Sequence, residues 1–396
     1  MGSVLRGLGL LLLFALVLEA TARLEDWVRY RTPFFSRFRD QGELMVRDVD
    51  GAHGRPGARY QKWVMNELGM RGPEAARRKA PGVVRIVTAG ASETFGQYES
   101  PGREFPRQLE DTLAAWSATR PACGARGAAR FQVLNAAFPG MSLPTVEQDV
   151  RLRLSKLDPD IVALYPTPAQ YLEEHPPGPA RPDSSGVQRE LPWMRALQPR
   201  VADRLREQIK ALLPEAVKTW LRERETAARI AAHGSGWRFE APPLDRLALF
   251  EQDLRKFVGA VRTIGAEPVL VLQANAFGSR SSDTEALQIL WEKFYPRASG
   301  ETIVAFDSLA RGVIAKVAAD SGVVAVDAAR HVVDRRFFHD FSHFTDEGAG
   351  RVAAVAGAGI LRAVNSRVGC APNGQPREAR KVDAAQGMAR STAPLR

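Results

Sequence analysis

The run Val83-Val84-Arg85-Ile86-Val87-Thr88-Ala89-Gly90-Ala91-Ser92-Glu93-Thr94-Phe95-Gly96 decides how this chain is read. A largely apolar, β-branched segment breaks at a glycine, a serine follows two residues later, and a second glycine closes the turn. Short continuous apolar runs of this kind suit strands buried on both faces. Four more follow: Phe131 to Leu134, Ile161 to Tyr165, Pro268 to Leu272 and Val323 to Val326. Helix-period segments lie between and after them, at Phe105 to Trp116, Thr145 to Leu157, Leu244 to Ile264, Thr302 to Ala319 and Asp346 to Val364. This alternation predicts an α/β fold, a parallel sheet sandwiched by helices in three layers. Sites in such sheets gather at the carboxyl ends of strands. Both Gly90–Gly96 and Asn135–Gly140 fall there.

A second motif completes the chemistry. Asp340-Phe341-Ser342-His343 is followed by Phe344-Thr345-Asp346-Glu347-Gly348 and a helix of small residues. A serine hydroxyl is a poor nucleophile until a neighbouring imidazole takes its proton, and the imidazole needs a carboxylate to hold its tautomer. Ser92, at a strand-to-helix turn, projects from the sheet top, with backbone N–H groups after it for an oxyanion. Asp340 and His343, three residues apart on one turn, can both reach it. Singly each residue has a plainer use: Ser92 as a helix cap, Asp340 as a turn residue, His343 as a surface histidine. His339 reads as exposed. The joint occurrence in the right strand context points to a serine hydrolase.

The chain has 396 residues, 45% hydrophobic and 25% charged, the profile of a globular protein with a full core. Its net charge of +10 is interleaved along helices, which reads as solvated faces or as attraction to acidic polysaccharide or anionic lipid. No aromatic-rich basic motif points to nucleic acid. No cysteine–histidine cluster resembles a zinc site, and no cofactor motif is present. Arg6, the apolar run Leu8 to Leu18, and Ala20-Thr21-Ala22 predict a secretory signal over 1–22 cut after Ala22. The same segment can instead stay as a membrane anchor, and either reading places the rest of the chain outside the cytoplasm, periplasmic or secreted. Cys123 and Cys370 pair in an oxidising compartment or remain separate thiols; both readings stay open.

Residues 23–80 read as an irregular, charged lead-in with aromatic anchors, and 81–370 as the main domain. A Pro/Gly/Ser-rich opening followed by a charged helical stretch marks an insertion at about 175–243, a lid or a helical decoration. Residues 371–396 lack periodicity and predict a disordered tail.

These motifs resemble the SGNH/GDSL hydrolases, especially the extracytoplasmic bacterial type with an N-terminal apolar segment. Gly90, Ser92 and Gly96 match the first block. Asn135-Ala136-Ala137-Phe138-Pro139-Gly140 resembles the second, and Asp340 with His343 the last. The lead-in Asn66-Glu67-Leu68-Gly69-Met70-Arg71-Gly72 is similar to that of the membrane-associated subgroup. The resemblance spans roughly residues 60–170 and 260–365. It implies a flavodoxin-like sheet, Ser92 as nucleophile, His343 as base, Asp340 as its orienter, and an oxyanion hole from Ser92 and Gly140 N–H groups.

Two departures stand out. Ala91 replaces the family's aspartate. Tyr165-Pro166-Thr167-Pro168-Ala169-Gln170-Tyr171 occupies the third block without its asparagine, whose amide donates to the oxyanion. Thr167, Gln170, Asn275 and Gln273 are candidate substitutes. The sequence leads to an esterase removing an acyl group, such as acetyl, from a carrier such as polysaccharide. The alternatives are a polysaccharide O-acyltransferase with the same Ser-His-Asp set, or a non-catalytic glycan-binding scaffold.

Overall fold

A computed structural model describes residues 2–118, 130–181, 196–279 and 281–368. Helix α1 (Gly2–Tyr30) leads to two antiparallel hairpins, β1 (Met45–Asp48) with β2 (Gly51–Gly54) and β3 (Arg59–Tyr60) with β4 (Trp63–Val64). The main domain then runs β5 (Val83–Gly90), α2 (Ser92–Phe95), α3 (Phe105–Ala118), β6 (Arg130–Asn135), α4 (Leu143–Leu152) and β7 (Ile161–Tyr165). Helices α5 (Val201–Leu212) and α6 (Glu215–Ala231) form the insertion. The rest is α7 (Leu244–Thr263), β8 (Glu267–Leu272), α8 (Thr284–Phe294), α9 (Gly300–Ser321), β9 (Val324–Asp327), α10 (Ala328–His331) and α11 (Asp346–Val368).

Strands β5 to β9 make one sheet in the order β6-β5-β7-β8-β9, with every neighbouring pair parallel. This is the flavodoxin-like order, and the five strands are those the sequence predicts. Ile86, Val87, Ile161, Val162, Val269 and Leu270 are fully buried, because helices cover both faces. Helices α3 and α11 pack together on one side, and α4, α7 and α9 on the other. The crossovers start where the chain offers caps. Ser142 Oγ accepts from Thr145 N (3.4 Å) ahead of Pro144 in α4, and Ser299 Oγ accepts from Thr302 N (3.1 Å) in α9. The order reverses around β5, and Gly90 at its end pairs with Tyr165 at the end of β7. That reversal is where open α/β sheets place their sites.

Two segments differ from the sequence reading, and a third, α1, fits it. The lead-in holds the two hairpins and then docks onto the sheet through Arg71, whose N–H donates to Asn135 O (3.1 Å). Helix α8 was not anticipated, since its apolar positions Leu287, Leu290, Trp291 and Phe294 repeat over only two turns. Helix α1 runs unbroken through Ala20–Ala22, and its Val4–Tyr30 stretch is long and apolar enough to cross a membrane. Cys123, Cys370, the tail 371–396 and residues 182–195 of the insertion lie outside the described residues.

Candidate active site

Strand β5 ends at Gly90 because nothing larger fits there. A Cβ at Gly90 would lie 2.5 Å from both Tyr165 O and Thr94 Oγ1. The chain turns at Ala91, begins α2 with Ser92, and ends it at Gly96 in the left-handed conformation (φ +85°). The exposed carbonyls at the end of this one-turn helix need donors, and buried side chains supply them. Asn135 Nδ2 donates to Thr94 O (3.0 Å), and Arg71 Nη1 donates to Phe95 O (2.7 Å) and to Gly96 O. Arg71 is 5% exposed and faces the equally buried Glu104 at 3.6 Å. The lead-in therefore clamps the turn that carries Ser92.

His343 and Asp340 meet as their spacing predicts. His343 Nδ1 donates to Asp340 Oδ2 (2.8 Å), while Asp340 Oδ1 accepts the backbone N–H groups of Ser342 (3.0 Å) and His343 (2.9 Å). Phe341 fixes the loop from the other side. It stacks on Trp291 at 5.1 Å, and its carbonyl accepts from Ala276 N (2.9 Å). His343 Nε2 is buried and has no hydrogen-bond partner among the described residues. A buried orphan nitrogen costs about 1–3 kcal/mol, and such groups concentrate where a reacting group is to be met.

Ser92 lines the same cavity as His343. Its hydroxyl points instead to Glu93, with Oγ donating to Glu93 Oε2 at 3.4 Å, a long and weak bond. Glu93 is 4% exposed and braces three loops. Oε1 accepts from Ser342 Oγ (2.9 Å) in the Asp340–His343 loop, and Oε2 accepts from Thr167 Oγ1 (3.2 Å) after β7. Sequence reasoning passed over Glu93. The available signal was that it is the one charged residue in Gly90–Gly96, a turn otherwise small or apolar.

Charge around the imidazole sets its basicity. Burial pushes His343 down, but the hydrogen bond and charge of Asp340, with Glu93 and Glu99 behind them, outweigh it and raise the group to about 9. Burial works to raise Asp340, and its bonds to His343 more than reverse that, so it stays below the ordinary aspartate value. Glu99, almost wholly buried, is pushed up to about 7. Tyr98 closes this wall, stacked on His339 at 4.0 Å and edge-on to His343 at 5.2 Å. His339 itself is exposed, as the sequence suggested.

For an oxyanion, the backbone offers more than the side chains. Neither the Ser92 nor the Gly140 N–H is engaged among the described residues, and Gly140 holds the left-handed turn (φ +80°) that glycine best tolerates. The three side-chain candidates line the cavity but spend their donors elsewhere. Thr167 serves Glu93, Gln170 Nε2 donates to Met141 O (3.2 Å), and Asn275 Nδ2 donates to Asp307 Oδ2 (2.7 Å). Gln273 Nε2 likewise goes to Asp307 Oδ1 (2.9 Å). None stands in for the family's asparagine in this arrangement. Buried Asp307 holds the amides of Asn275 and Gln273 in this arrangement.

The cavity measures about 1280 Å³, above the roughly 300–1,000 Å³ of a single small-ligand pocket. One wall is apolar, from Leu287, Trp291 and Phe294 of α8. Arg181, Glu215 and Arg222 of the insertion also line it, with α6 packed against α8.

No protein-family model matches the chain, and no curated protein sequence does. Solved structures similar in fold include an acetyl xylan esterase from Geobacillus stearothermophilus, 12% identical with TM-score 0.38, covering 71% of this chain and 94% of that one. A GDSL-like lipase from Bacteroides thetaiotaomicron is 10% identical with TM-score 0.36, covering 72% of this chain and 89% of its own. TesA is 12% identical with TM-score 0.38, covering 70% and 99%. The lipase carries the name of the family whose blocks the chain resembles. Likeness at this level carries no argument about activity, which rests on the site's own geometry.

Proposed function

We propose that this chain is a serine esterase of the SGNH/GDSL type, held at the extracytoplasmic face of a membrane by α1. The observation that carries the reading is the orphaned, buried Nε2 of His343, with Asp340 on its Nδ1, in the cavity that Ser92 lines. In this reading the Ser92 hydroxyl turns from Glu93 towards that nitrogen across the cavity both residues line. Oγ then attacks an ester carbonyl, and His343 takes the proton and returns it to the departing alcohol. The N–H groups of Ser92 and Gly140 receive the oxyanion. Water, deprotonated by the same imidazole, releases the acyl group. A saccharide-borne acetyl ester is the substrate we favour, since the cavity admits a bulky carrier beside a small acyl group.

The second reading is acyl transfer from Ser92 to a sugar hydroxyl. It is favoured by a cavity large enough for donor and acceptor together. Product analysis separates the two. Acyl-oligosaccharide in place of free acid supports transfer, and free acid alone supports the esterase.

A pH profile tests the base. His343 acts only when neutral, and its raised value of about 9 keeps it protonated near neutrality. Turnover of an activated acetate ester, as kcat/KM, is therefore expected to climb into the alkaline range with a limb near that value. Glu93 raises His343, so Glu93→Gln is expected to move the limb to lower pH. A limb that stays put in Glu93→Gln contradicts the electrostatic account of the site.

A further inference from the structure

We propose that helix α5 of the insertion lies on the lipid bilayer, with its apolar face in the headgroup region beside the anchor. The proposal rests on the reading of α1 as a membrane anchor.

Helix α5 is amphipathic in sequence, with Val201, Leu205, Ile209 and Leu212 on one face and Arg204, Arg206, Glu207 and Lys210 around it. An amphipathic helix in a water-soluble fold turns that face inward. This one buries no residue: Leu205 is 58% exposed, Ile209 53% and Leu212 82%. Helix α6 adds Val217, Trp220 and Leu221, also exposed. An apolar face of this extent calls for a cover.

The anchor says which cover. Exposed apolar residues are densest in α1 from Leu8 to Leu18; from Glu19, where the start of α5 is bonded, they thin out to Leu24, Trp27 and Val28 among charged side chains. Glu19 Oε2 accepts from Arg200 N (2.7 Å) and Val201 N (3.1 Å). Arg23, 5% exposed, donates to Ala196 O (2.8 Å) and Gln198 O (3.0 Å). Asp26, 3% exposed, accepts from Arg200 (3.2 Å) and Arg204 (2.6 Å). These bonds fix the first turn of α5 at the level where α1 leaves the hydrocarbon. Apolar residues flanked by Arg and Lys, with Trp220 close by, are what an interfacial helix presents to lipid. Glu215 and Arg222 of α6 line the cavity, so the insertion that carries α5 also borders the site.

The test uses the full chain with Cys123→Ser and Cys370→Ser, reconstituted in vesicles of phosphatidylcholine and phosphatidylglycerol carrying a doxyl-labelled lipid. A fluorophore is attached singly at Leu11→Cys, Ile209→Cys or Glu207→Cys. The proposal expects quenching of about two-fold or more at positions 11 and 209, and little at 207 on the opposite face. Quenching at 11 but not at 209 overturns the proposal and leaves the anchor standing. No quenching at 11 overturns both. Equal quenching at 207 and 209, or a 209 label shielded only as protein concentration rises without lipid, overturns it in favour of immersion or of a second copy.

Discussion

Ser92→Ala is expected to lower turnover of an activated acetate ester by about 10⁴–10⁶-fold, the scale on which removing a triad nucleophile acts. The fold should survive, because the Ser92 hydroxyl makes one long bond, to Glu93 at 3.4 Å, and anchors nothing else. His343→Ala should cost nearly as much, and the two together little more than either alone, since nucleophile and base act as a unit. The imidazole's position argues for this size of effect. Asp340 holds Nδ1, burial hides Nε2, and the described residues give that nitrogen no partner. Steady-state kinetics, with circular dichroism to show intact folding, measure it. A Ser92→Ala protein with unchanged turnover would remove the serine mechanism.

Arg71→Ala is expected to be the most destabilising single change near the site, by about 3–5 kcal/mol, the cost of breaking a buried ion pair by removing one partner. Glu104, 4% exposed, would lose the guanidinium that faces it. Phe95 and Gly96 would also lose the donor to their carbonyls. Against a total stability of about 5–15 kcal/mol, that is a large share. Arg71→Lys restores charge but not the fork that reaches two carbonyls and a carboxylate, so it should recover only part. Urea denaturation midpoints at constant slope report both variants. An Arg71→Ala protein within experimental error of the parent would show that the lead-in does not clamp α2.

The sheet was legible because its strands are written as short apolar runs that helices on both faces make necessary. Val83 to Thr88 and Ile161 to Tyr165 could hardly be anything else at that length and with those flanking turns. The pairing of Asp340 with His343 was legible for a similar reason, since three residues on one turn bring carboxylate and imidazole together locally. What the sequence hid are contacts between distant segments. Arg71 looks like one arginine among many until the fold sets it under Phe95 and Gly96. Glu93 looks like a solvated acid until burial forces it to take Ser342 and Thr167 as partners. Asn275 was a plausible oxyanion donor by position alone, and only the packing of α9 reveals Asp307 as the group that claims its amide. The docking of α1 onto α5 joins residues some 180 positions apart, a juxtaposition that local periodicity cannot carry.

The most direct test of the central claim is covalent. The full-length protein in detergent is treated with a fluorophosphonate probe, and the adduct is mapped by mass spectrometry. The account predicts labelling at Ser92, faster as pH rises towards the His343 value of about 9, and lost in His343→Ala. A folded protein that takes no label at any pH, under conditions that modify a control esterase, would contradict it and leave a glycan-binding scaffold as the better reading.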